Sequence, residues 1–148
     1  MAYIKFKELT KYFDFKDETN PFDLPDYAKE YVEKEEKILM GYKNSKDYVV
    51  FTDRKMILFD RDTLALYYKK IHIIPYVSIS TSAINFKPGK VEILFSLDSG
   101  YQLHINFLDM NHDKKENIKK YIKLWCVLSY KILCIICQLI IHQLTFYI

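Results

Sequence analysis

The chain has 148 residues, half of them hydrophobic, with 13 Tyr, 10 Phe and only 3 Gly. That length favours one domain and buries a core without disulfide staples, and the scarcity of Gly excludes a collagen-like, linker-like or Gly-rich phosphate-binding chain. The net charge is +3, but residues 1–111 balance 16 Lys/Arg against 17 Asp/Glu, a body without the basic footprint of a nucleic-acid binder.

The opening Met1-Ala-Tyr-Ile-Lys-Phe-Lys-Glu8 has no apolar signal-peptide core, so a cytoplasmic protein is expected. Residues 1–37 are assigned to an N-terminal helical segment. Asn20-Pro21-Phe22-Asp23-Leu24-Pro25 is a strong breaker, after which Tyr27, Ala28, Tyr31 and Val32 fall at helical spacing. Asp23 or Leu24 is the expected N-cap, with Pro25 near the first helical position. The resulting helix is expected to pack on the domain that follows, or to act as an arm that docks on a neighbouring subunit.

Residues 38–108 read as an antiparallel sheet that begins with a strand over Ile38–Lys43. In Asp47–Asp60, a two-residue loop at Asp53-Arg54 sets Val49 against Leu58, Phe51 against Met56, Val50 against Ile57 and Tyr48 against Phe59. A one-residue slip would destroy that match. Both faces are apolar, so cover on more than one side is expected. Leu66–Tyr76 and Val77–Phe86 supply two further strands, with Pro75 at a bend or bulge. Val91–Leu97 and Tyr101–Phe107 form a second hairpin. A three-residue loop, Asp98-Ser99-Gly100, keeps Phe95 against Leu103 and Ile93 against Ile105, and Gly100 supplies the left-handed position. About seven short strands with brief turns indicate a small sandwich or a partly open barrel.

A helix follows, capped by Asn111 or Asp113. Ile118, Tyr121, Ile122 and Trp125 form its apolar stripe, and Lys114, Lys115, Lys119, Lys120 and Lys123 occupy the other positions.

Val50-Phe-Thr-Asp-Arg-Lys-Met-Ile-Leu-Phe-Asp60, together with Ile74-Pro75-Tyr76 and Ser78-Ile-Ser80, resembles the bacterial pleckstrin-homology-like domains over roughly residues 38–125. The resemblance implies a mainly β (α+β) fold: a pleckstrin-homology-like antiparallel barrel of about seven strands with a capping C-terminal helix, preceded by the N-terminal helical segment. It implies no active site, because these are strand and turn signatures. It also implies a non-catalytic interaction and self-assembly module, a homo-oligomer or a complex with a protein partner through strand edges, since some members of the family build rings in that way. The lipid-binding subset of pleckstrin-homology domains holds inositol phosphates with basic residues around the first hairpin. Here that loop offers only Lys43 and Lys46, with Asp47 beside them. Lys43, Lys46, Lys114, Lys115, Lys119, Lys120 and Lys123 are the candidate contacts to an anionic surface.

Residues 126–148 form an apolar tail. Of the 25 residues from Leu124 to Ile148, 19 are apolar, and the stretch holds all three Cys and the sole Trp. Four readings stay open: a helix packed on the domain or on a sister chain, a membrane anchor with Lys114–Lys123 at the headgroups, an altered-frame extension, or disorder. The anchor supports the alternative function, a membrane-associated adaptor. Against it stand Lys131, Gln138, His142 and Gln143, each costly in hydrocarbon.

Cys134-x-x-Cys137 with His142 and Cys126 has too little loop to wrap zinc, and three reduced cysteines acting as small hydrophobes is the better account. His72, His104 and His112 are tied to no nucleophile, and Asp60-Arg61-Asp62 reads as a solvated turn. No metal, cofactor or catalytic residue is expected.

Overall fold

The computed structural model describes residues 10–61 and 69–127. Nine strands are found among them: β1 (Thr10–Phe15), β2 (Asp17–Thr19), β3 (Ile38–Lys43), β4 (Tyr48–Thr52), β5 (Lys55–Arg61), β6 (Lys69–Pro75), β7 (Ile79–Lys87), β8 (Gly89–Leu97) and β9 (Gln102–Met110). They make a four-stranded sheet, in order β1-β9-β8-β7, and a five-stranded sheet, in order β2-β3-β4-β5-β6. The expected barrel is therefore two facing sheets rather than one continuous ring of hydrogen bonds.

The principal difference from expectation lies at the N-terminus, where residues 10–19 are strand and not helix. Thr10-Lys-Tyr-Phe-Asp-Phe15 alternates with period two, so that Phe13 and Phe15 are buried while Tyr12 and Asp14 are exposed. β1 runs parallel to β9, with Phe13 opposite Ile105 and Phe15 opposite Phe107. Lys16 then crosses to the other sheet, where β2 pairs with β3. Residues 10–37 are thus not a helical appendage, because β1 and β2 extend the two sheets. Within residues 10–37, α-helix survives only as α1 (Asp26–Lys29), which follows a 3-10 turn at Pro21–Asp23. The Asn20 side chain caps that turn by accepting from the Phe22 amide at 3.0 Å, and Pro25 immediately precedes α1. The cap and helix start expected around Asp23–Pro25 are displaced by the tighter turn, and Tyr31 and Val32 lie beyond the helix.

Both hairpin registers agree with expectation. β4 and β5 pair Tyr48 with Phe59, Val49 with Leu58, Val50 with Ile57 and Phe51 with Met56. Val49, Phe51, Met56 and Leu58 enter the core between the sheets. Val50, Ile57 and Phe59 face the other way, onto Leu24, Ala28, Tyr27 and Val32 of the N-terminal segment. This explains why the strand pair is apolar on both faces. β8 and β9 pair Phe95 with Leu103 and Ile93 with Ile105, the Leu97 amide donates to the Tyr101 carbonyl, and Gly100 has φ 83°. Pro75 ends β6 and leads into a 3-10 turn at Tyr76–Ser78, the expected bend.

The C-terminal helix α2 starts at residue 112 and continues to 127, the last described residue. The Asn111 side chain caps it by accepting from the Lys114 amide at 2.9 Å. Ile118 and Trp125 are buried in the inter-sheet core, with Tyr121 and Ile122 packed against it. Trp125 stacks on Phe51 at 4.7 Å and lies 5.9 Å from Tyr76 and 6.2 Å from Phe95. The tail from residue 128 onward, with Cys134, Cys137 and His142 and the four readings given for it, lies outside the described residues.

Candidate interaction surface

Among the described residues, β7 is the outermost strand of its sheet and pairs only with β8. α2 lies beside it and runs in the opposite direction. Near the start of the helix, Lys115 Nζ donates to the Lys87 carbonyl at 2.7 Å, and Lys119 Nζ sits 5.3 Å from the centre of the Phe86 ring. Near its end, Ile122 and Trp125 face Ile79–Ser82 across a cavity of about 300 Å³. Small residues create that space. Ser82 is opposite Phe95, a core residue, where strand alternation calls for a large apolar side chain. Ser80 spends its hydroxyl on the Ser96 carbonyl, 2.8 Å away. The cavity floor is aromatic, made by Tyr76, Phe95 and Trp125.

No charged side chain lines the cavity, and most of the positive charge lies toward the β7–β8 turn and the start of α2. Lys87 and Lys90 both bridge to Glu92 at 2.8 Å, and together they hold that carboxyl at a pKa of about 2. Lys119 pairs with Glu116 at 2.5 Å. Lys114 reaches the Asp109 carbonyl at 3.5 Å, and Lys120 and Lys123 are exposed. Lys43 and Lys46 lie apart from these, around the β3–β4 turn, where the Asn44 amide donates to the Asp47 carbonyl. The seven lysines singled out from the sequence therefore form two groups.

Two polar clusters were missed because their members are far apart in sequence. Glu36 is buried, accepts from the Thr52 hydroxyl and the Glu33 amide, and pairs with Lys55 at 3.1 Å. Burial would raise its pKa, but these partners outweigh burial and leave it lowered. The second cluster corrects the reading of Asp60 as part of a solvated turn: it sits in β5 and pairs with Lys11 at 2.5 Å. His72 lies 3.9 Å from the same carboxylate, with the Phe13 and Tyr101 rings about it. Asp62 lies outside the described residues. Among the described residues, no group of three His, Cys, Asp or Glu is arranged to hold a metal, and no helix is long and apolar enough to cross a membrane.

Two facing sheets with a C-terminal helix packed into the core between them are the plan of a pleckstrin-homology domain, and the sequence profile described as "Bacterial PH domain" matches residues 12–126. The chain belongs to the bacterial PH domain family. The match begins inside β1, in keeping with a domain that includes the N-terminal strands. A pleckstrin-homology domain protein from Shewanella loihica PV-4 is similar in fold, with a TM-score of 0.60 at 17% identity, over 76% of this chain and 95% of that one. A PH domain-containing protein from Exiguobacterium sibiricum 255-15 gives a TM-score of 0.60 at 20% identity, over 90% of this chain and 74% of that one. A pleckstrin-homology domain from Shewanella amazonensis SB2B gives 0.50 at 21% identity, over 70% and 88%. No curated protein sequence matches this chain.

Proposed function

We propose that this bacterial PH domain is a non-catalytic module for protein interaction and self-assembly, which works by adding a strand to an open sheet edge. The observation that carries this reading is β7: nine residues, outermost in its sheet, with no second strand paired to it among the described residues. The alternative, a membrane-associated adaptor, needs the lysines of α2 at a lipid surface. Lys114, Lys115 and Lys119 instead engage Asp109, Lys87 and Glu116 of the domain itself, which favours the interaction reading.

Light scattering of the full chain over a range of concentrations tests this. Its mass should rise above the 17.8 kDa of one protomer. Thr81→Lys with Ala83→Lys places charge on exposed positions of the edge and should return the mass toward the protomer. A protein that stays monomeric at every concentration overturns self-assembly. Assembly indifferent to the two lysines overturns the β7 edge as its site.

A further inference from the structure

The space between β7 and α2 is lined by four consecutive residues of the strand, Ile79, Ser80, Thr81 and Ser82. Successive side chains of a strand point to opposite faces, so a cavity touched by all four follows the strand's edge and does not lie under one face. Its floor is aromatic and none of its walls carries a charge. The pairing of β7 with β8 is irregular between Ile79 and Thr81 and regular from there to Lys87. The cavity therefore sits at one end of a regular edge, and lysines gather at the other. Lys87 and Lys90 share Glu92, Lys119 takes Glu116, and Lys115 is engaged by a carbonyl and not by an acid.

We infer that this groove takes an extended segment of a different protein, which pairs with residues 81–87, seats one large apolar side chain in the cavity and sets acidic residues against the lysines at the β7–β8 turn. This rests on the strand-addition reading above and names the chemistry of the partner. A space that follows an edge suits an extended chain better than a compact ligand, and about 300 Å³ is the bottom of the range for small-molecule sites. Ser82, opposite Phe95, leaves room that an incoming side chain fills, and that side chain must be uncharged because no charge awaits it. At the turn the lysines outnumber the acids they bridge, so carboxylates are the complementary groups there. A strand rises about 3.3 Å per residue, which puts the anchor opposite Ser82 and the acids opposite Lys87 about five residues apart. A partner parallel to β7 carries the anchor first, and an antiparallel one carries the acids first.

Fluorescence anisotropy on the full chain provides the test. The probes are two dye-labelled peptides of Ser and Thr, each with one Phe and an Asp-Glu-Asp run about five residues from it, one in each order. One order should bind clearly more tightly than the other. Replacing the Phe of that probe with Ser should weaken binding about tenfold or more, a change read on the unaltered protein. Ser82→Phe fills the cavity from the protein side and should do the same, with cooperative thermal unfolding as the check that it is folded. Replacing the acids with Asn-Gln-Asn should weaken binding severalfold and remove most of its dependence on salt. N-methylation of alternate amides in the probe should abolish binding in one register and spare it in the other, because alternate N–H groups face a neighbouring strand. Binding indifferent to the loss of the Phe, or to the loss of the acids, overturns the inference; if one N-methyl register still abolishes it, the edge reading stands. Binding indifferent to N-methylation in both registers rejects the edge and the inference with it. If neither probe binds, the inference is rejected, and if light scattering then shows assembly that Thr81→Lys with Ala83→Lys breaks, the occupant of the edge is a second copy of this chain.

Discussion

Tyr42 buries its ring in the core between the sheets, 4.7 Å from Phe107, and its hydroxyl has no hydrogen-bond partner among the described residues. Burial pushes the phenol far above its usual range, so it stays neutral, yet a neutral hydroxyl without a partner still loses its hydration. Tyr42→Phe keeps the ring and removes the orphaned oxygen. It should hold or raise stability, by about 1 kcal/mol in urea unfolding, and a clear loss would show that the hydroxyl is engaged. Tyr76 is the contrasting case: its hydroxyl donates to the Thr52 carbonyl at 2.8 Å, which ties the 3-10 turn to the β4–β5 hairpin. No sequence pattern separates these two tyrosines. Whether a buried hydroxyl finds a carbonyl depends on chain segments 24 residues apart, as with Tyr76 and Thr52.

At the scale of the element, the β8–β9 hairpin turns on Gly100 at φ 83°. Gly100→Ala forces a Cβ into the left-handed region and should cost about 1 kcal/mol without moving the register, since Phe95–Leu103 and Ile93–Ile105 continue to select it. A denaturant midpoint shift measures the first effect and backbone NMR contacts across the strands check the second. The same element shows why much of the fold was legible. Hairpin partners lie within a few residues of each other, so side-chain matching across the turn fixes their pairing. β1 lacked that local help. Its Phe13 and Phe15 alternate with Tyr12 and Asp14, but the strand is short and its partner lies beyond seven intervening strands. α1 misled in the opposite sense: four apolar residues at helical spacing suggested a longer helix, and Asn20-Pro21 diverted the chain into a 3-10 turn first. The groove was illegible for a related reason. Ser80 and Ser82 read as ordinary strand polars until Phe95 and Trp125, brought in from later segments, stand beside the space they leave.

Across the whole molecule, Lys11 of β1, Asp60 of β5 and His72 of β6 meet where the two sheets come together. Burial lowers the His72 pKa from its usual 6.5, Lys11 and Lys70 act in the same sense, and Asp60 opposes them. The folded protein therefore binds a proton here less readily than the unfolded chain does. Stability from this site is complete above pH 6.5 and is lost as the pH falls toward the folded-state value. Melting temperature measured against pH should decline below 6.5, and His72→Phe, which keeps an aromatic ring between Phe13 and Tyr101, should flatten that limb. An unchanged profile would place the acid sensitivity elsewhere.

The parallel pairing of β1 with β9 also sets a timetable. Asp14 and its partner Asn106 are separated by 92 residues, so a ribosome adding about 5–20 residues per second delivers the partner on the order of 5–20 s after the first strand has left it. Through that interval Phe13 and Phe15 are strand-forming and uncovered, while the β4–β5 hairpin downstream pairs as soon as it emerges. Lys11, Asp14, Lys16 and Asp17 are interleaved with and flank the two phenylalanines, and charges at such positions keep a waiting strand from joining its neighbours on the same message. Of the nine described strands, the one made first is thus among the last to be paired, and its charges guard it until β9 arrives.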